Sequence, residues 1–320
     1  MVHQGALGDF LLILPAIEAF HCAFPHVQID FWSRTDHCAL VSRRNYFGSA
    51  HSSGGLDLTP FYHEDLWQEA PLPPVFCESE EIFIFGQDGA GVLAERMAVR
   101  LERRVQWVRS FPAPGEVVPV SHYILEQFRR MGFALEETPV RLVPFAEEAL
   151  RAESWLSARG WLERRPVMIH PGSGGIWKVW PLKNWWALLD WLNGRGVRPV
   201  LMTLGPADGE LRHFASEAER KGVTILDQLS LPRLAAMMAA SHSYVGCDSG
   251  VSHLAAMMGV PSSIVFGPTD ASIWAPQGPN VCVIQDKWSE TEVLSWSSGL
   301  ALEVLHPHVL EAVEKHFLMA

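Results

Sequence analysis

Several of the features that would quickly assign a chain of 320 residues are missing here. The cysteines number five, an odd count, and no two have the C-x-x-C spacing of a zinc knuckle or a redox motif. Cys22, Cys38, Cys77, Cys247 and Cys282 are read as free thiols in a reducing compartment. Basic residues are in deficit. Lysine and arginine total 25 against 36 acidic residues, and the resulting formal charge of -11 argues against binding nucleic acid through a general basic surface. A phosphate ligand is not excluded, because helix N-termini and single lysines act at short range. Long hydrophobic runs are absent as well. The apolar stretch 10–24 contains Pro15, Glu18 and His21 and is shorter than the ~20 residues of a membrane span. Met1-Val2-His3-Gln4 lacks the basic start of a signal peptide. These absences point to a cytoplasmic protein, with peripheral membrane association left open.

What is present is a globular composition, 48% hydrophobic and 19% charged. The second half alternates short apolar strands with helices. Strands are expected at Val167–His170, 197–204, 223–226, 244–247, Ser262–Phe266 and Val281–Gln285. Helices are expected from Pro181 to about Asn193, at 210–221, at 231–241 and at 250–258. Such alternation predicts a parallel sheet covered on both faces. The first half follows the same rhythm less cleanly. A helix is expected at Leu7–Ala23, with strands at 27–32, 81–85 and 105–108. Segment 48–74, rich in Gly, Ser, Pro and His, reads as loops around one short strand. The fold class is α/β, with domains 1–160 and 161–320 joined through a helix at 147–159. The amphipathic C-terminal helix, about 307–318, is expected to pack back on the first domain. The turn Gln4–Asp9 normally follows a strand, and only Met1, Val2 and His3 are available to form one.

Three motifs can carry chemistry. In His170-Pro171-Gly172-Ser173-Gly174-Gly175, small residues after a strand let backbone N–H groups approach phosphate oxygens, and Lys178 adds a full charge. The loop is neither GxxxxGK[ST] nor GxGxxG, so a plain glycine turn beside a solvated lysine explains it equally well. The second motif runs through Asp248, Ser249, Gly250 and His253, where a strand gives way to a helix; ligands gather there in open parallel sheets, and helix capping is the structural explanation. A serine hydrolase built from Ser249, His253 and Asp248 fits poorly, because residues on one turn cannot form the nucleophile–base–orienter chain. Third, Asp9 in Gly5-Ala6-Leu7-Gly8-Asp9 either caps the first helix or serves as a general base. Spacing does not separate these two roles.

Taken together, residues 5–16 (GALGDFLLILPA), 170–181 (HPGSGGIWKVWP) and 245–256 (VGCDSGVSHLAA) resemble the heptosyltransferases of lipopolysaccharide assembly, glycosyltransferase family 9. Residues 266–270 (FGPTD) with Trp274-Ala275-Pro276 add a fourth match in the same order. The resemblance covers most of 165–285 and the first ~25 residues; the remainder of the first half matches weakly, as acceptor regions do. It implies a GT-B architecture of two Rossmann-like domains facing across a cleft, with acceptor on the first and nucleotide sugar on the second. It further implies inverting, metal-independent transfer from ADP-heptose to a lipopolysaccharide-core-type or related glycan or glycolipid acceptor. No cofactor is implied beyond the nucleotide sugar, and the location is cytoplasmic or peripheral at the inner membrane. Asp9 stands at the position of the catalytic base. Ser173, Gly174 and Lys178 match positions on the donor pyrophosphate, and Asp248, Ser249, Gly250 and His253 match the donor-site turn. Glu210 falls near the nucleotide ribose and Leu229 near the base pocket. Lys178 and helix N-termini would meet the negative charge that grows on a departing diphosphate, and the chain has no DxD triplet for a divalent ion. Segment 48–74 shows no recognisable acceptor pattern. Arg96, Arg100, Arg103 and Arg104 meet an anionic acceptor or form an ordinary solvated helix face. A non-catalytic nucleotide-sugar-binding protein and a nucleotide-sugar epimerase are the alternatives, and the Asp9 motif favours transfer over both.

Overall fold

The computed structural model describes residues 1–197, 199–293 and 307–318. They form two compact units, Met1–Val140 and Arg141–Ala320. The units divide earlier than the expected boundary near residue 160. The reason is local: helix Ala146–Ser157 buries Ala152 and Leu156 and packs on helix Leu231–Ala239 of the second unit.

The first unit contains a five-stranded, all-parallel sheet in the order β3-β2-β1-β4-β5. Its strands are β1 (Val2–His3), β2 (Ile29–Ser33), β3 (Phe47–Ser52), β4 (Phe83–Phe85) and β5 (Gln106–Val108). β1 is two residues long yet central, pairing Val2 with Trp32 on one side and with Ile84 on the other. Helix Leu7–Ala23 covers one face together with helix Val120–Arg130. It is apolar on nearly every side, which is the pattern of a buried helix. Phe20, Phe83 and Phe128 mesh beneath it, with the last two stacked 4.9 Å apart. Leu93, Ala94 and Met97 of helix Asp88–Leu101 pack with Val2 and Ile84 in a separate apolar cluster. Because β2 and β3 extend to one side of β1 and β4 and β5 to the other, the connection reverses between β1 and β4. In open parallel sheets ligands bind at the carboxyl ends of such neighbours.

The second unit repeats the plan with a six-stranded parallel sheet ordered β11-β10-β9-β6-β7-β8. Its strands are β6 (Val167–His170), β7 (Val200–Leu204), β8 (Thr224–Asp227), β9 (Ser243–Cys247), β10 (Ser262–Phe266) and β11 (Val281–Gln285). β6, β7, β9 and β10 are buried along their whole length, as strands covered on both faces must be. The expected start of β7 at 197 runs through Arg198, which lies outside the described residues. Here the reversal falls between β6 and β9, which pair from Val167↔Ser243 to His170↔Gly246. The segments following these two strands therefore emerge side by side. Trp180, Trp185 and Trp186 fill the core beneath helix Leu182–Gly194. Val309 and Val313 of helix Pro307–Leu318 are buried in that same core, and the helix packs on β10 and β11. The contacts described for this helix are with the second unit's own sheet.

Candidate functional site

In the second unit the loop after β6 and the turn after β9 are tied to each other. The Ser173 hydroxyl donates to the Asp248 carbonyl oxygen at 2.6 Å. Lys178 Nζ lies 2.9 Å from Asp248 Oδ2, and the same oxygen accepts from Thr269 Oγ1 at 2.8 Å. The Asp248 side chain is only 8% exposed and that of Lys178 24%, so water screens this pair weakly. One carboxylate thereby gathers three segments, those after β6, β9 and β10. The first turn of helix Gly250–Met257 opens beside this pair, with backbone N–H groups that precede any helical carbonyl partner.

The loop can lie this low because its glycines make room for neighbours. A Cβ on Gly172 would sit 2.0 Å from Asp208 Oδ1. Asp208 is 5% exposed, accepts from the Gly205 backbone N–H at 2.6 Å, and closes the turn after β7. His170 is buried beside it and donates from Nδ1 to the Thr203 carbonyl at 2.9 Å. Burial pushes the His170 pKa down, and the nearby Asp208 charge opposes that. Gly246 performs a similar service in β9, where a Cβ would meet the Tyr244 hydroxyl at 2.2 Å.

The turn after β9 is a capped helix, and no hydrolase triad is built on it. Ser249 accepts from the Ser252 backbone N–H at 3.3 Å, while Ser252 Oγ donates to the Cys247 carbonyl at 2.5 Å. His253 is 4% exposed and its ring is hydrogen-bonded to the backbone of Trp274. Burial pushes its pKa down to about 4, so it is neutral at physiological pH. Cys247 is fully buried and its thiol is pushed up to about 12, which makes it inert.

Of the other residues singled out from the sequence, Gly174 is exposed with open space around it. Glu210 is exposed on the short 3-10 turn Gly209–Leu211. Leu229 lines a small hollow with Trp155, Arg233 and Met237, against helix Ala146–Ser157. Among the described contacts neither joins the Lys178–Asp248 cluster. Thr269, Asp208, Trp177 and Trp274 were not singled out. For Thr269 and Trp274 the signal was present in the fourth matching segment, which carried no residue roles.

In the first unit, Asp9 lies in the first turn of helix Leu7–Ala23, where its Oδ2 accepts from the Ala6 backbone N–H at 3.0 Å. A Cβ on Gly5 would fall 2.7 Å from that oxygen, so only glycine allows the turn to close on the carboxylate. The N-cap itself is Ala6, so Asp9 is not the cap read from the sequence; from the third helical position it secures the helix start by binding back to the N-cap N–H. Asp9 also lines a cavity of about 310 Å³ with Gln4, Tyr62, Gly86, Gln87 and Ser110. This cavity sits at the carboxyl ends of β1 and β4, where the sheet order reverses. Near it, Arg109 pairs with Asp88 at 2.9 Å and donates to Gln87 Oε1 at 3.0 Å.

Arg96, Arg100 and Arg103 are neither a solvated face nor an anion cluster. Arg96 donates to the carbonyls of Phe61 and His63, Arg100 to that of Trp67 and Arg103 to that of Phe76. Arg96 and Arg100 pin segment 48–74 to helix Asp88–Leu101, and Arg103, just beyond the end of that helix, holds Phe76. Among the described residues there is no group of three His, Cys, Asp or Glu placed to hold a metal ion, and no helix long and apolar enough to cross a membrane.

Comparison with known proteins bears on the family and the fold. The family model described as glycosyltransferase family 9 (heptosyltransferase) matches residues 103–295. Lipopolysaccharide heptosyltransferase 3 of Escherichia coli is 31% identical over 296 residues, covering 86% of this chain and 84% of that protein. Lipopolysaccharide heptosyltransferase 1 of Salmonella typhimurium is 30% identical over 304 residues, covering 88% of this chain and 91% of that one. Among solved structures, a family 9 glycosyltransferase of Veillonella parvula superposes with a TM-score of 0.75 at 16% identity, covering 100% of this chain and 96% of that chain. The ADP-heptose lipopolysaccharide heptosyltransferase II of E. coli gives 0.69 at 17% identity, covering 99% and 98%. These structural likenesses bear on the fold.

Proposed function

The chain belongs to glycosyltransferase family 9 and is a glycosyltransferase, and from that premise we propose that it transfers heptose from ADP-heptose, with inversion and without a metal ion, to a lipopolysaccharide-core-type glycan acceptor. The observation that carries this reading is the joining of Ser173, Lys178, Asp248 and Thr269 at the carboxyl ends of β6 and β9. That arrangement suits a diphosphate. In the reaction the acceptor hydroxyl attacks the anomeric carbon, the bond from that carbon to the diphosphate oxygen breaks, and negative charge appears on the leaving group. Lys178 and the N–H groups opening helix Gly250–Met257 are fixed positive ends for that charge, a form of stabilisation that needs no reorganisation at the moment of reaction. Asp9 is the base that takes the hydroxyl proton. Its cavity in the first unit is the acceptor seat. Glu210 and Leu229 serve the ribose and the base on this reading, and Ser249, Gly250 and His253 shape the donor turn. The enzyme works in the cytoplasm, at the inner face of the membrane that carries its acceptor.

The test is a paired measurement of binding and turnover. Asp9→Ala is expected to abolish transfer while ADP affinity stays within about twofold, since the residue acts only in the transition state. Lys178→Ala is expected to weaken ADP binding by about tenfold or more, the scale of losing a charge-assisted hydrogen bond. Unchanged turnover in the first variant removes Asp9 from the mechanism, and an unchanged ADP affinity in the second removes Lys178 from the diphosphate. Loss of activity on adding EDTA overturns the metal-free reading.

A further inference from the structure

The lysine of the loop after β6 is set among indole rings. Its ammonium lies 5.4 Å from the centre of the Trp177 ring and 5.8 Å from that of Trp274. Trp177 is 39% exposed, whereas Trp180, Trp185 and Trp186 of the same unit are buried in its core. It is nevertheless held. Its ring packs on the backbone of Gly175, where a Cβ would come within 2.8 Å of the indole nitrogen. Its carbonyl accepts from the Trp288 indole N–H at 3.0 Å, and Trp288 in turn lies on Gly267, where a Cβ would be 2.4 Å from the ring. Trp274 closes helix Ala271–Trp274, and its backbone engages the buried His253 ring. Two glycines and a buried histidine therefore position a pair of indoles beside the cation.

We propose that Trp177 and Trp274 form the platform for the sugar ring of the donor and set which sugar the site accepts. The inference rests on the reading of Lys178 as the diphosphate lysine. If that amine meets the phosphate bearing the sugar, the next group along the donor is the pyranose ring, and the indoles are what it meets. A pyranose has a face of C–H bonds, which an aromatic face attracts through its negative quadrupole. The same face favours the positive charge that develops on the ring as the glycosidic bond breaks. The platform is therefore selective for the glycosyl group and indifferent to the nucleotide.

Calorimetric titration of wild type and Trp177→Ala with ADP and with ADP-heptose, in the absence of acceptor, separates the possibilities. The expected result is an ADP affinity unchanged within twofold and an ADP-heptose affinity lowered roughly three- to thirtyfold, the range of an aromatic–cation or stacking contact. Trp177→Phe should restore most of the loss, and matched melting temperatures would show that the exposed ring is not needed for folding. Equal ADP-heptose affinity in wild type and Trp177→Ala overturns the platform and leaves the diphosphate site standing. An equal loss for both ligands also overturns it, because the ring would then be shaping the loop. A wild type that binds neither ligand removes the donor reading and the platform with it.

Discussion

Gly172 and Asp208 lie in the loops that follow the neighbouring strands β6 and β7, and each restricts the other. The carboxylate fills the space that a side chain at 172 would need. Gly172→Ala should destabilise the second unit by about 1–3 kcal/mol, the usual cost of overpacking a filled site. Thermal melts would show it, and adding Asp208→Ala should recover part of the loss; a double variant no better than the single one would contradict the steric cause. The glycine loop was legible in the sequence because small residues followed an apolar run. Asp208 was not, since its role appears only when β7 is laid beside β6. The Asp9 turn was half legible. Its spacing allowed both capping and catalysis, and the Ala6–Asp9 bond shows the carboxylate bracing the helix start from the third helical position, without touching the catalytic role.

At the scale of elements, β6, β10 and β11 matched their expected bounds because each is a compact run of strand-forming residues between turn formers. Helix Leu7–Ala23 was equally clear. Helix Val120–Arg130 was missed. Its buried residues, Val120, Ile124, Leu125 and Phe128, are interleaved with His, Gln and Arg, and no serine cap announces its start, although Gly132 in the left-handed region marks its end. Segment 48–74 was hardest to read, because its order comes from outside itself. It borrows donors from Arg96 and Arg100, each aimed at backbone carbonyls and worth roughly 1.5–3 kcal/mol as charge-assisted bonds. Arg96→Ala should therefore raise the rate of limited proteolysis between residues 57 and 67 severalfold, read by mass spectrometry of the fragments, with the second unit's melting unchanged. Cleavage at the wild-type rate would mean that the arginine is dispensable to the segment.

Across the whole molecule, acid should be more damaging than mild base. His3 and His253 are buried and both are pushed down to about 4 from an ordinary 6.5. The unfolded chain takes up these protons below pH 6.5 and the native state resists until about pH 4, so stability is complete above 6.5 and falls through that window. Each histidine can remove at most about 1.4 kcal/mol per pH unit there. Urea midpoints should drop steadily from neutral pH towards pH 4. His3, whose ring nitrogens have no hydrogen-bond partner among the described residues and lie between Phe10 and Phe85, supplies a control: His3→Met should lessen the slope. A midpoint that does not move with pH would refute the assignment. The two-sheet plan itself was legible from alternation alone, whereas the division at Val140 depended on which neighbour a single helix chose.

The pairing of β6 with β9 also bears on the order in which the enzyme matures. Ser173 and Asp248 are bonded to each other although the chain runs through β7, β8, β9 and three α-helices between them. Contacts of such long range form late, because the loop they close must be ordered first. During synthesis from the N-terminus the glycine loop leaves the ribosome well before β9 does. The joined loops should thus appear abruptly, only when β9 inserts, and a nascent chain halted before that strand would have the lysine without its carboxylate.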